Sequence, residues 1–202
     1  MRYRRELFTS ELIIVSNPIS GIDSIINELS DRITPYSKFS DNNVLRDMDM
    51  VNDFIDEITD STDTPRDLIV NFINYSSVID FTGLLKGYFI HLLDKELSSS
   101  GKYLINFGGD ILARNSPTVK VMNRDQVGLP IILSGDFICF TSGNNYKRGN
   151  HIVSKDGSFN KLSSTVVTKI MNPVLADIVS TRSVSEYPFN YDGFDIYINK
   201  VE

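Results

Sequence analysis

Cysteine and histidine are scarce in this sequence of 202 residues, which contains only Cys139, His91 and His151. One cysteine cannot form an internal disulfide, and these three residues cannot supply the Cys/His clusters of structural zinc sites. Cys139 stands between Ile138 and Phe140 in a pattern typical of a strand. We therefore expect its thiol to fill the core rather than to react.

Positive charge is also scarce. The formal net charge is −6, the pI is about 5.0, and the only basic run is Arg2, Arg4 and Arg5. This balance argues against a nucleic-acid partner. No apolar run approaches the length that spans a bilayer, and the start of the chain is a poor signal peptide. The expected location is therefore cytoplasmic, with no membrane span.

The hydrophobic pattern predicts helices and strands that are interleaved irregularly. Hydrophobic residues make up 41% of the chain, enough for a core in one domain or two tightly joined lobes. Ile22, Ile25, Ile26, Leu29 and Ile33 share one face of a predicted helix, and a short helix is predicted at 51–58. Strands are predicted at 11–16, 68–72, 102–107, 111–113, 118–122, 130–134, 136–141, 150–153, 164–171 and 194–198, with a turn-rich surface break at 59–66. Several predicted strands are close in sequence, which favours an α+β fold with a mainly antiparallel mixed sheet and flanking helices.

Four segments contain residues suited to chemistry. The first, DFTGLLKGY at 80–88, places Gly83 and Gly87 around Lys86 at a predicted helix start. Glycines permit close approach of the backbone to a phosphate, and the free N–H groups of a helix N-terminus attract anions. An ordinary loop-to-helix junction with a surface lysine is an alternative explanation of the same sequence pattern.

The second segment, NFGGD at 106–110, directly follows a predicted strand. Gly108 and Gly109 allow the backbone to turn sharply and to present its N–H groups to a ligand. A tight turn with Asp110 at its corner is the alternative.

The third segment combines TSGN at 141–144 with NHIV at 150–153. Thr141 and Ser142 offer hydroxyls at a strand end, and His151 can act as a base or a hydrogen-bond donor near neutral pH. Because two apolar residues follow this histidine, a half-buried strand position is the alternative.

The fourth segment, NPVLADIVST at 172–181, predicts a helix with Asn172 as N-cap and Pro173 at its first position. Asp177 and Thr181 are four residues apart and therefore share one face of this helix. A buried carboxylate beside a hydroxyl needs a partner, and Mg²⁺ is suitable because it prefers oxygen ligands. An amphipathic helix whose aspartate meets a lysine fits the same pattern.

In their order and spacing, these segments resemble the ApbE family of FAD:protein FMN transferases. Members of that family typically contain DLGGIAKG, N-x-GGD, ATSG, HIIDP-x-TG and ADA-x-x-T. The match covers residues 80–181, and YSKFSDNN at 36–43 is loosely similar to a serine-containing loop of the family. The resemblance implies a single ApbE-like domain over residues 1–202, shortened between about 45 and 75.

The resemblance also implies the site and the reaction. Mg²⁺ would be held by Asp177, Thr181 and the main-chain carbonyl of Leu85, and the catalytic residues would be His151 and Lys86. The residues implied to contact FAD are Lys86, Gly108, Gly109, Asp110, Thr141, Ser142 and Gly143. The implied reaction moves FMN from FAD to a threonine of an acceptor protein and releases AMP.

The sequence also departs from the family pattern. Thr82 replaces a glycine, Leu85 replaces an alanine, and Ser154 and Lys155 stand where the family has Asp-Pro. Two other hypotheses therefore stay open. In the first, the shortened pocket admits water and the protein hydrolyses FAD to FMN and AMP. In the second, the protein is a non-catalytic flavin-binding or interaction protein with the same fold.

Overall fold

The computed structural model describes residues 1–37, 48–73, 81–121, 130–143, 152 and 161–200. The chain divides into two compact units. The first comprises Met1–Pro18, Ser100–Met171 and Val179–Glu202, and the second comprises Ile19–Ser99 and Asn172–Ile178.

Over the described residues, the first unit is built on a seven-stranded sheet whose strands lie in sequence order. The strands are β1 (Arg2–Leu7), β2 (Ser10–Ser16), β3 (Tyr103–Phe107), β4 (Asp110–Val121), β5 (Ile131–Gly143), β6 (Leu162–Thr168) and β7 (Phe194–Lys200). Each described pair of neighbours is antiparallel. The predicted α+β fold with a mainly antiparallel sheet is therefore confirmed.

A two-residue turn joins β3 to β4. Phe107 pairs with Asp110, and the turn between them has φ of +63° at Gly108 and +103° at Gly109. Positive φ at both positions gives the turn whose twist matches that of two antiparallel strands, and glycine adopts it without steric cost. The side-chain oxygen of Asn106 accepts the N–H of Gly109 at 2.9 Å. The turn therefore fixes where Asp110 enters β4.

The central strands are longer than the sequence predicts. The prediction of two short strands at 111–113 and 118–122 is wrong, because both lie in β4, and those at 130–134 and 136–141 both lie in β5. The β4–β5 pairing shifts register at two places. Asn115 (φ +47°) and Gly135 (φ +74°) lie at these irregularities. Such bulges interrupt the alternation of side chains without ending the strand.

The second unit is helical. It contains α1 (Ile22–Ile33), α2 (Met48–Thr62), α3 (Arg66–Ile73), α4 (Thr82–Leu97) and the first six residues of α5 (Pro173–Ser185). Four residues of the predicted stripe on α1 are buried as expected, whereas Ile25 remains partly exposed. An aromatic cluster lies at the centre of the unit: the rings of Tyr36 and Phe54 stack, and Phe54 meets the ring edges of Phe81 and Tyr88.

Two other predictions need correction, and one strand was not predicted. Residues 68–72 form part of α3 rather than a strand, since Ile69 and Ile73 are buried one helical turn apart. The predicted break at 59–66 is shorter, because α2 continues to Thr62. The edge strand β1 was not predicted, because its letters RYRREL are mostly charged.

The predicted strand at 150–153 lies outside the described residues, except for the buried Ile152. Among the helices that the structure describes, none combines the length and the apolar character needed to cross a membrane.

Candidate functional site

The segment at 80–88 is described from Phe81 onward. Helix α4 begins at Thr82, and the carbonyl of the buried Phe81 accepts the N–H groups of Leu84 and Leu85 at 2.9 and 3.1 Å. The predicted helix start is confirmed. Leu85 is buried, and Lys86 is partly exposed. Gly83 and Gly87 thus lie within the first two turns of the helix rather than in a loop before it.

Gly87 brings α4 into contact with the start of α5. Its main-chain N–H donates a hydrogen bond to Oδ2 of Asp177 at 2.8 Å, and the Asp177 side chain is only 4% exposed. A Cβ atom at Gly87 would lie 2.6 Å from the carbonyl oxygen of Pro173 and 2.9 Å from Cβ of Asp177. Only glycine fits this approach. The contact joins two of the four predicted segments, which are 90 residues apart in sequence.

Asn172 holds the start of α5 in place. Its Oδ1 accepts the N–H of Leu175 at 3.0 Å, so the predicted N-cap is confirmed. Its amide nitrogen donates to the carbonyl of Thr62 and to the hydroxyl of Thr64. These bonds attach the first turn of α5 to the end of α2 and thereby set the position of Asp177.

Asp110 connects the second and third segments within the first unit. Its side chain is 1% exposed, and its Oδ1 accepts the N–H of Thr141 at 2.9 Å. The described pairing of β4 with β5 starts one residue later, at Ile111 and Cys139. The carboxylate therefore supplies the acceptor for Thr141 where the main-chain ladder ends. Gly109 approaches the same place, since its added Cβ would lie 3.4 Å from Oγ1 of Thr141.

Three hydroxyl groups meet between the end of β5 and helix α5. Oγ of Ser142 lies 3.0 Å from Oγ of Ser180 and 3.2 Å from Oγ1 of Thr181. Oγ of Ser164 on β6 donates to the carbonyl oxygen of Ser180 at 2.6 Å. Ser180 and Ser164 were not predicted as site residues. The sequence feature that could have identified them is the large number of serine and threonine residues in α5 and β6.

Gly143 and Cys139 have structural explanations. A Cβ at Gly143 would lie 2.6 Å from Cβ of Ser163 and 2.8 Å from its Cα, so the pairing of β5 with β6 requires glycine here. Cys139 is buried as expected. Burial and the nearby Asp110 raise the pKa of its thiol to about 12, which keeps it unreactive.

Two of the expected positions are not described. His151 and the Ser154–Lys155 departure lie outside the described residues, so the role of this histidine stays a prediction. Over the described ranges, no three histidine, cysteine, aspartate or glutamate side chains form a cluster that could hold a metal ion.

Comparisons with known proteins give a match in structure but not in sequence. No family model matches the sequence, and no curated protein matches it. Similar solved structures cover nearly the whole chain. The flavin transferase ApbE from Vibrio cholerae aligns with 98% of this chain and 96% of its own, at 14% identity and a TM-score of 0.60. The flavinyl transferase ApbE from Pseudomonas stutzeri aligns over 98% and 94%, at 14% identity and a TM-score of 0.66. The ApbE protein from Thermotoga maritima aligns over 100% and 97%, at 15% identity and a TM-score of 0.66.

The chain has the ApbE fold. At this level of identity the match concerns the architecture, and it confirms the fold that the ordered segments imply. The assignment of individual ApbE-type site residues depends on the segments themselves.

The residues expected to hold Mg²⁺ suit that ion. By their chemistry a carboxylate (Asp177), a hydroxyl (Thr181) and a main-chain carbonyl (Leu85) each offer oxygen, the donor atom that a small hard cation prefers. The buried carboxylate of Asp177 is oriented by the N–H of Gly87, two residues after Leu85. A hydrogen bond that orients a metal-binding carboxylate is common around metal sites.

Proposed function

We propose that this chain is a flavin transferase of the ApbE type. It takes FAD as substrate and transfers the FMN half to a threonine of an acceptor protein. The hydroxyl oxygen of the threonine forms a bond to the phosphorus of the FMN half. The bond from that phosphorus to the AMP half breaks, AMP leaves, and the hydroxyl proton is lost to a base.

The observation that carries this proposal is the hydrogen bond from the Gly87 N–H to the Asp177 carboxylate. It links the segment that resembles the phosphate-binding motif of the family to the segment that resembles its metal-binding motif. An ordinary amphipathic helix would not need a glycine on its neighbour at this position. A Cβ at Gly87 would have no space, so this contact depends on glycine at that position.

Each site residue has a proposed role. Lys86 offsets the negative charge of the diphosphate, and the glycine turn at Gly108 and Gly109 lets FAD approach the backbone closely. Asp177, Thr181 and the Leu85 carbonyl would hold Mg²⁺, which when bound stabilises charge that builds up on the diphosphate. His151 would accept the proton of the threonine.

The remaining proposed contacts are to the flavin. In the family pattern the TSG segment lies against the flavin, and here it comprises Thr141, Ser142 and Gly143. Asp110 supports this segment, because its carboxylate accepts the Thr141 N–H. The cytoplasmic location expected from the composition remains a prediction beside this function.

The test combines purified protein with FAD, Mg²⁺ and a candidate acceptor protein that contains a target threonine. AMP release is followed by chromatography, and the acceptor is analysed by mass spectrometry. The proposal predicts AMP together with an acceptor whose mass has increased by that of FMN less one water. Asp177→Ala should abolish both products, whereas Asp60→Ala, which removes an exposed carboxylate of α2, should retain them.

Other outcomes separate the alternatives. AMP and free FMN without labelled acceptor would reassign the protein as an FAD pyrophosphatase. Bound FAD with neither product, in the presence of Mg²⁺, would reassign it as a flavin-binding relative without catalytic activity.

A further inference from the structure

We propose that Ser142 and Ser180 are positioning residues that orient the hydroxyl of Thr181 toward a bound cation. This inference rests on the proposed function, because it takes Thr181 as a ligand of Mg²⁺. It assigns Ser142 a role different from the flavin contact that the sequence resemblance implies, and it adds Ser180, which the resemblance does not include.

One turn of α5 carries two neighbouring hydroxyl residues that differ in exposure. Ser180 is fully buried, whereas its neighbour Thr181 is partly exposed. Oγ of Ser142 lies within hydrogen-bond distance of both side-chain oxygens, at 3.0 and 3.2 Å. One serine at the end of β5 therefore connects a buried hydroxyl to a hydroxyl that a ligand can approach.

A side chain of the neighbouring strand β6 binds the main chain of the same helical turn. Ser164 is the register partner of Ser142 in the β5–β6 pairing, and its Oγ donates to the carbonyl oxygen of Ser180 at 2.6 Å. Both Ser164 and Ser180 are fully buried. The turn that carries Thr181 is thus fixed by two adjacent strands, through its backbone and its side chains.

The proton on Thr181 explains why a neighbour is needed. A hydroxyl has one proton and two lone pairs, and only the lone pairs can coordinate a cation. The proton must therefore point to another acceptor. A hydroxyl on a helix usually donates to the carbonyl four residues earlier, as Ser183 does to Val179 at 2.7 Å.

Ser142 provides a different acceptor for that proton. If Thr181 donates to Oγ of Ser142, and Ser142 donates to Oγ of Ser180, both lone pairs of Thr181 remain available to the cation. The arrangement resembles the outer hydrogen bonds that orient metal ligands in other proteins, whose removal weakens metal affinity about 10–100-fold.

The experiment measures Mg²⁺ binding directly, by titration calorimetry of the full-length protein with MgCl₂. Ser142→Ala and Ser180→Ala should each weaken Mg²⁺ affinity about tenfold or more. Ser142→Thr keeps the hydroxyl and should bind Mg²⁺ as the wild type does. Ser183→Ala is the matched control, because it removes a buried hydroxyl of the same helix that donates to the carbonyl of Val179 one turn earlier.

A second readout separates positioning from flavin contact. FAD binding is measured by flavin fluorescence in the presence of EDTA, and thermal unfolding in EDTA verifies that each variant is folded. The proposal predicts that FAD affinity without metal is unchanged in Ser180→Ala, because Ser180 is fully buried and lies outside the TSG segment. In Ser142→Ala, a loss of FAD affinity with unchanged Mg²⁺ affinity would overturn the proposal in favour of a flavin contact alone. If Ser142→Ala does not fold, the same comparison with Ser180→Ala decides.

The failure of this inference is distinguishable from that of the proposed function. If the wild type binds Mg²⁺ and both alanine variants bind it equally well, the positioning role is wrong while the transferase proposal stands. If the variants lose Mg²⁺ affinity but the wild type labels no acceptor, the transferase proposal fails alone. A wild type without Mg²⁺ binding would contradict both.

Discussion

The N–H of Gly87 and the carboxylate of Asp177 form a buried hydrogen bond of 2.8 Å between residues from two sequence-distant helices. Gly87→Ala would place a Cβ 2.6 Å from the Pro173 carbonyl oxygen, a main-chain atom that cannot move by itself. We expect the variant to lose about 2 kcal/mol of unfolding free energy, because overpacking at a main-chain atom costs about 3 kcal/mol and the helix preference of alanine offsets about 1 kcal/mol. Urea denaturation followed by circular dichroism measures this loss.

Gly83→Ala is the control for that prediction. In the same helix its Cβ would meet Cζ of Phe72 at 2.9 Å, the outer end of a side chain that can turn away. Alanine also favours a helix over glycine by about 1 kcal/mol. The net change should therefore be under about 1 kcal/mol. Equal losses in both variants would show that the close approach at Gly87 is not the cause.

A second prediction concerns the carboxylate of Asp110. Asp110→Ala removes the acceptor of the Thr141 N–H, so the start of the TSG segment loses its anchor. A hydrogen bond to a charged group contributes about 2 kcal/mol, and we expect a loss of that size in unfolding free energy. FAD should also bind more weakly, as measured by flavin fluorescence. Asp110→Asn keeps an oxygen acceptor and should show a smaller loss, whereas identical losses in both variants would contradict the anchoring role.

Much of the architecture could be predicted from short-range signals. Local sequence patterns were enough for three features: the stripe from Ile22 to Ile33, the strand before Gly108 and the cap at Asn172. The strand at 68–72 could not be distinguished from a helix, because a short apolar run suits either form. Whether it forms a helix depends on which neighbours bury it.

The bulges in β4 and β5 illustrate a second limit. Asn115 has positive φ, and its N–H donates to the carboxylate of Asp136 on the facing strand at 2.7 Å. A contact of this kind belongs to the pairing of two strands and is not visible in either strand alone. The sequence therefore predicted two short strands where one bent strand exists.

In the candidate site, too, some features could be predicted from the sequence and others depend on tertiary contacts. The order of the motifs predicted four functional segments, and the structure places Gly87 against Asp177 and Asp110 against Thr141. The hydroxyl of Ser180 could not be identified, because serine in a helix has many roles that leave no pattern. The role of His151 remains a prediction.

A third prediction concerns the fully buried Tyr88, whose hydroxyl donates to Oε1 of Glu57. Burial and this hydrogen bond raise the pKa of Tyr88, so the phenol remains a neutral donor. Tyr88→Phe should lower the unfolding free energy by about 1–1.5 kcal/mol. Denaturant titration of Tyr88→Phe and of Tyr197→Phe, which changes a half-exposed tyrosine on β7, provides the comparison. If the two variants were equally stable, the bond to Glu57 would contribute nothing measurable.

The last prediction concerns pH and the buried His91 of α4. The side chain is 9% exposed, and among the described residues its Nε2 has no hydrogen-bond partner. Burial is the main cause that lowers the pKa of His91, and Lys95 adds to it. A backbone hydrogen bond at Ser61 and the carboxylates of Asp94 and Asp63 act in the opposite direction without reversing the shift.

The sign of the pH effect follows from the depressed pKa. In the unfolded chain His91 titrates near its ordinary value of about 6.5, so below that pH the unfolded state binds a proton that the folded state does not. The contribution to stability is therefore fully present above about pH 6.5 and is lost as the pH falls toward the lower folded pKa. Within that window the loss reaches at most about 1.4 kcal/mol per pH unit.

Urea denaturation at intervals from pH 8 to pH 5 tests this for the wild type and His91→Gln. The wild type should lose more stability on acidification, because the variant has no group to protonate at this position. The carboxylates titrate alike in both proteins and cancel in the difference. His151→Gln, measured in the same way, assigns the effect to one histidine. Parallel curves for the wild type and His91→Gln would mean that the buried ring does not destabilise the protein in acid.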